Sequence, residues 1–76
     1  MTTGYIVKSG KYYLTKRYSW FQHKSESEAY VFPEWQIKDV LEMSEGWTVK
    51  PTHIIPAEYF DGVVTVTGEP MGRVEG

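Results

Sequence analysis

The residues of this chain that could do chemistry are few and scattered. His23 and His53 lie far apart, with no H-x-x-x-H or H-E-x-x-H spacing around either, so the helical pattern that holds a transition metal is missing. There is no cysteine, which removes thiolate zinc sites and cysteine nucleophiles. Ser25 and Ser27 sit beside His23, but a hydroxyl nucleophile needs a base and an oxyanion hole assembled in space. Neighbours in a polar "SESE" stretch supply neither. The carboxylate pairs Glu26/Glu28 and Glu42/Glu45 fall in segments that read as solvated, where nothing raises a pKa. No P-loop and no G-x-G-x-x-G is present, and a chain of 76 residues has little volume for a deep pocket. The expectation is a protein that is not an enzyme and carries no metal and no cofactor.

Binding chemistry is better represented. The stretch "SGKYYLTKRYSWFQHK", residues 9–24, holds Lys11, Lys16, Arg17 and Lys24, with Lys8 just upstream, together with five aromatic rings and no acid. Residues 1–24 therefore carry five bases and no acid, while residues 25–76 carry ten acids and three bases, for a net charge of −2 overall. Such asymmetry points to an electrostatically guided partner. Two readings compete. In the first, Lys8, Lys11, Lys16 and Arg17 neutralise phosphates while Tyr13, Tyr18 and Trp20 stack the bases of a single strand. In the second, the same residues and Trp35 dock a protein, since Tyr, Trp and Arg are the side chains most enriched at interface hot spots. No RNP-type motif, helix-turn-helix or basic helix is visible, and the chain as a whole is acidic with pI about 5.6. Protein binding is the preferred reading and a nucleic-acid module built on residues 8–24 the alternative. A third use of the bases is to offset the acids of the chain's own helix.

The elements that must position these residues follow from periodicity. "YIVK-SG-KYYLT" predicts a hairpin with Ser9-Gly10 as its two-residue loop. That register pairs Lys8 with Lys11, Val7 with Tyr12, Ile6 with Tyr13 and Tyr5 with Leu14. It places Tyr5, Val7, Tyr12 and Leu14 on the core face, and Ile6, Lys8, Lys11 and Tyr13 on the outer one. The strand continues toward Trp20 or Phe21, and "AYVF", residues 29–32, predicts a short strand. A helix is expected from about Pro33, whose missing N–H is harmless at a first helical position, to about Glu45, with Gly46 as its stop. Ile37, Val40, Leu41 and Ser44 share one face at i, i+3, i+4, i+7, and Trp35 points roughly opposite. "THIIPAEYF" reads as a strand that Pro56 bends or confines to an edge, and Asp61-Gly62 joins it to "VVTVT" as a second hairpin. The expected class is α+β: a small antiparallel sheet, β-β-(β)-α-β-β, with one helix across it. Residues 1–68 would form one domain and residues 69–76, rich in Gly with Pro and charge, a flexible tail.

Lys11, Tyr13, Leu14, Trp20, Ala29, Phe32 and the Ile37/Val40/Leu41 stripe together resemble a loose class of small proteins encoded by bacteriophages and prophages. In these, a hairpin with a "K-Y-L" second strand precedes a Trp, an "A-x-x-F" step, a short helix and a final strand. The resemblance covers about residues 5–57. Pro33 departs from the more usual polar cap after the Phe, and "DGVVTVTGEPMGRVEG" adds a C-terminal extension. It implies a non-enzymatic accessory protein that binds and inhibits or modulates a host protein, such as a defence nuclease complex or a polymerase. It transfers no binding residue. The N-terminus shows no basic leader before an apolar run, and no apolar stretch approaches the roughly 20 residues that span a bilayer. These features predict a cytoplasmic protein, in the host if phage-encoded.

Overall fold

The computed structural model describes residues 1–22 and 29–70. Its elements in chain order are β1 (Thr2–Ser9), β2 (Tyr12–Leu14), β3 (Trp20–Phe21), β4 (Phe32–Pro33), α1 (Glu34–Met43), a 3-10 turn (Ser44–Gly46), β5 (His53–Phe60) and β6 (Val63–Val66). All strand pairs are antiparallel, and the lateral order is β3-β2-β1-β5-β6, with β4 also paired to β1. This is the small α+β domain that the periodicity predicts, one helix against an antiparallel sheet. Among the described residues no helix is long and apolar enough to cross a membrane.

β1 is the spine of the sheet. One edge pairs with β5 from Thr2↔Tyr59 to Lys8↔His53. The other edge is divided: β2 takes Lys8 and Ser9, and β4 takes Gly4 and Tyr5. Sharing that edge brings backbones very close. A Cβ on Gly4 would lie 1.9 Å from the carbonyl oxygen of Phe32, so β4 can seat only against a glycine.

The first hairpin corrects the expected register. Its loop is Gly10-Lys11, closed by Ser9↔Tyr12 with Lys8↔Tyr13 next. Gly10 takes φ +59° at the first loop position, where a II′ turn calls for glycine. The shift is two residues, so the parity of each strand survives, but the assignment of faces does not. The sheet has two apolar faces. On one, α1 covers Val7, Leu14, Phe32 and Ile54; on the other, Ala29 and Val31 lie over Ile6, Tyr13, Ile55 and Ala57. Tyr13, expected outside, is buried at 6% exposure, and Tyr12, expected in the core, is 40% exposed. The cause is the chain returning from downstream: Ala29 and Val31 pack with Ile6, Tyr13, Ile55 and Ala57, so the second face carries apolar cover as well. The strand expected over residues 29–32 is correspondingly reduced to Phe32–Pro33.

The helix follows its stripe with two adjustments. Pro33 is the N-cap (φ −64°, ψ 160°) and not the first helical residue. Gly46 does not adopt a left-handed stop; it lies in the 3-10 turn, closed by the Trp47 N–H donating to Ser44 O at 3.0 Å. Ile37, Val40 and Ser44 are buried, and the Ser44 hydroxyl donates to Leu41 O at 2.8 Å. Leu41, expected in the core, is only half-buried at its margin. Ile37→Ala should therefore cost about 2–5 kcal/mol and Leu41→Ala distinctly less, as chemical denaturation of the two variants would show. Equal losses would mean that Leu41 is core.

Pro56, expected to mark an edge, sits in an interior strand between β1 and β6. Its carbonyl accepts from the Thr67 N–H at 3.0 Å, so its own hydrogen-bonding side faces the end of β6. The alternation of antiparallel bonds then leaves the β1 side of Pro56 without a bond to lose. Asp61 and Gly62 both take positive φ, 51° and 79°, the I′ pattern expected of an Asp-Gly loop.

Candidate functional site

A groove of about 540 Å³ opens where β4 and the start of α1 meet the Thr2–Tyr59 end of the sheet. Thr2 and Tyr59 are a cross-strand pair, and Tyr59 shares its face with Ile55 and Ala57. Ala29, Tyr30, Val31, Pro33, Trp35 and Lys16 complete the lining. Trp35 is 69% exposed. It lies two residues before Ile37, about 200° round the helix from the buried stripe, so the packing that fixes α1 also holds the indole outward.

Lys16 reaches the groove from the turn between β2 and β3. Tyr18 N–H donates to Thr15 O at 2.9 Å and Thr15 N–H to Ser19 O at 2.8 Å. This is the three-residue hairpin loop whose last residue is left-handed. That residue is Tyr18, at φ 61°, where a non-glycine side chain costs of order 1–3 kcal/mol. Compensation comes from the Thr15 side chain, whose Oγ1 lies 2.8 Å from Ser19 Oγ and accepts from the Arg17 and Ser19 N–H groups at 3.3 Å each. It also comes from the Tyr18 ring, which stacks on Phe32 at 6.2 Å and 10° and accepts a 3.1 Å bond from Gln36 Nε2 at its hydroxyl. The turn that presents Lys16 and Arg17 is thus fastened to β4 and to the first turns of α1.

The aromatic residues of the basic stretch belong mostly to this fastening. Tyr18 and Trp20 both meet Trp47, at 6.2 and 6.3 Å, and Tyr30 meets Phe32 edge-on at 4.7 Å. Trp20 is half-buried, and its Nε1–H donates to Val49 O at 3.2 Å. The bases are dispersed. Lys8 stands over the Tyr13 ring on the second face, Nζ 5.5 Å from the centroid, and Lys11 over the Tyr12 ring at 5.8 Å. Lys11 and Lys16 flank opposite ends of β2, roughly 15 Å apart along the strand. Among the described residues, Lys8, Lys11, Lys16 and Arg17 form no ion pair with the helix acids.

Of the eight residues nominated from sequence, then, the groove unites Lys16 and Trp35, with Arg17 exposed on the same turn. Tyr18 braces that turn, Trp20 and Tyr13 are structural, and Lys8 and Lys11 lie toward the other end. Sequence reasoning missed Thr2, Tyr30 and Tyr59. For Tyr59 the signal existed: alternation from Ile55 through Ala57 puts it at the solvent end of an apolar face.

Among the described residues no group of three or more His, Cys, Asp or Glu could hold a metal ion, and no buried side-chain polar atom lacks a partner. His53 is exposed, with Nδ1 3.0 Å from Thr52 Oγ1. His23, Ser25, Glu26, Ser27 and Glu28 lie outside the described residues. No protein-family model, curated protein or solved structure matches the chain.

Proposed function

We propose that the chain is a non-enzymatic protein-binding domain, of the phage accessory kind its sequence resembles, that acts by occupying a surface of a host protein such as a defence nuclease complex or a polymerase. The observation that carries this reading is Trp35, an exposed indole held by a rigid helix start at the mouth of a concave, partly apolar groove. Large aromatic anchors seated beside a pocket are the usual source of interface energy. Lys16 at the rim and Arg17 beside it suit a partner segment that offers an apolar side chain to the groove and a carboxylate to the turn. The single-strand reading draws less support, because Tyr13 is buried and Tyr18 and Trp20 also pack on Phe32 and Trp47, which leaves fewer of the nominated rings free to stack bases.

The test is a pair of surface variants measured against the captured partner. Trp35→Ala should weaken binding by about 2 kcal/mol or more without lowering thermal stability. Lys16→Glu should slow association and reduce its salt dependence while leaving dissociation nearly unchanged. Labelled single-stranded oligonucleotide should bind neither at low nor at physiological salt; tight, steeply salt-dependent binding would favour the nucleic-acid reading.

A further inference from the structure

β6 ends the sheet, and its outer edge pairs with no strand among the described residues. The direction of its peptide groups follows from one bond. Thr67 N–H donates to Pro56 O at 3.0 Å, and antiparallel bonding alternates along the strand. Val63 and Thr65 therefore turn their N–H and C=O toward β5, and Val64 and Val66 turn theirs outward. The edge offers two donors and two acceptors in the spacing that another strand requires.

The usual protections of such an edge are lacking. Lysine, proline, a bulge or extreme shortness would blunt it, yet β6 reads Val-Val-Thr-Val. The opposite edge of the sheet, β3, is only two residues long. Val63 and Val66 are 60% and 39% exposed, and Phe60, paired with Val63, is exposed as well. An added strand would meet apolar side chains on both faces.

Charge selects the occupant. Residues 51–70 contain Glu58, Asp61 and Glu69 and no Lys or Arg. Asp61 lies in the loop before β6 and Glu69 shortly after it. A second copy bonded symmetrically through Val64 and Val66 would centre on Thr65 and bring Asp61 alongside Glu69 of its partner, and like charges set opposite destabilise strand pairing. We infer that the β6 edge takes up an extended segment of a partner protein, a short β-branched run with Lys or Arg at its ends, by strand addition. Main-chain bonds at Val64 and Val66 supply the affinity, and Asp61 and Glu69 select the basic segment. No β6 residue lines the Trp35 groove, although the groove's Tyr59 pairs with Val64, and neither reading depends on the other.

The probe is a synthetic Arg-Val-Thr-Val-Thr-Lys peptide, with Glu-Val-Thr-Val-Thr-Glu as its counterpart, titrated into isotopically labelled full-length protein and followed by amide hydrogen exchange. The basic peptide should slow exchange at Val64 and Val66 by roughly tenfold or more at saturation, with little change at Val63 and Thr65, which already bond to β5. Added salt should weaken this and the acidic peptide should fail. Val66→Pro deletes an outward N–H and should weaken binding by roughly tenfold. Should that variant misfold, the exposed pair Asp61→Lys and Glu69→Lys should exchange the peptide preference. No protection at Val64 and Val66 with the basic peptide, equal protection by the acidic one, or concentration-dependent protection without peptide, the mark of self-pairing, would overturn the inference.

Discussion

Gly4→Ala is expected to destabilise the fold severely. The added Cβ would sit 1.9 Å from Phe32 O and 2.7 Å from the Phe32 carbonyl carbon, distances that no side-chain rotation can relieve because the obstacle is backbone. Either β4 leaves β1, which uncovers Phe32 and unseats the start of α1, or β1 bends away from β5. Overpacking in a close-packed interior commonly costs about 1–3 kcal/mol and more where nothing can yield. The expected loss here is above about 3 kcal/mol, against a total of about 5–15 kcal/mol for a folded domain. Circular dichroism melting measures it directly, with exposed Thr3→Ala as a control that should stay within about 0.5 kcal/mol. A Gly4→Ala melting point lowered by no more than about 4–8 °C, the shift for about 1 kcal/mol in a domain of this size, would show that β4 does not share the β1 edge as described.

Phe32→Ala should cost about 3–5 kcal/mol, the range for removing a buried ring. Phe32 is fully buried, and two rings lean on it, Tyr18 face-on and Tyr30 edge-on. Phe32→Leu keeps most of the apolar volume and should lose mainly the ring contacts, each about 0.5–1.5 kcal/mol. The leucine variant also bears on function. Without its stacking partner, Tyr18 retains less compensation for its left-handed backbone, so the turn that holds Lys16 and Arg17 should loosen. Faster amide exchange at Arg17 and Ser19 in Phe32→Leu, with β5 unchanged, is the expected pattern. A turn unaffected by Phe32→Leu would mean that the Thr15 bonds alone hold it.

What could be read from sequence divides along the range of the interactions. The Asp61-Gly62 loop and the Ile37/Val40 stripe are local, and a few neighbouring residues suffice to set them. The first hairpin was legible as a hairpin, but its register was not. Ser9-Gly10 and Gly10-Lys11 both use the same glycine, and only the pairing of Ser9 with Tyr12 distinguishes them. Burial of Tyr13 is not legible in the sequence for a longer-range reason: its apolar neighbours Ala29 and Val31 arrive from well downstream, on a face that alternation alone presents as open. The same return of the chain builds the groove, which draws Lys16, Trp35 and Tyr59 from three separate parts of the sequence. Clustering of bases along the chain suggested one surface. The strand between Lys11 and Lys16 places them at opposite ends instead.

The most direct test of a protein-binding role centred on Trp35 is quantitative capture from bacterial lysate by the tagged protein and its Trp35→Ala variant, side by side, once both are shown to melt at the same temperature. The expected result is one protein recovered in stoichiometric amount by the parent chain and depleted roughly tenfold or more with Trp35→Ala. A partner retained equally by both proteins, or no stoichiometric partner together with turnover of a substrate, would contradict it.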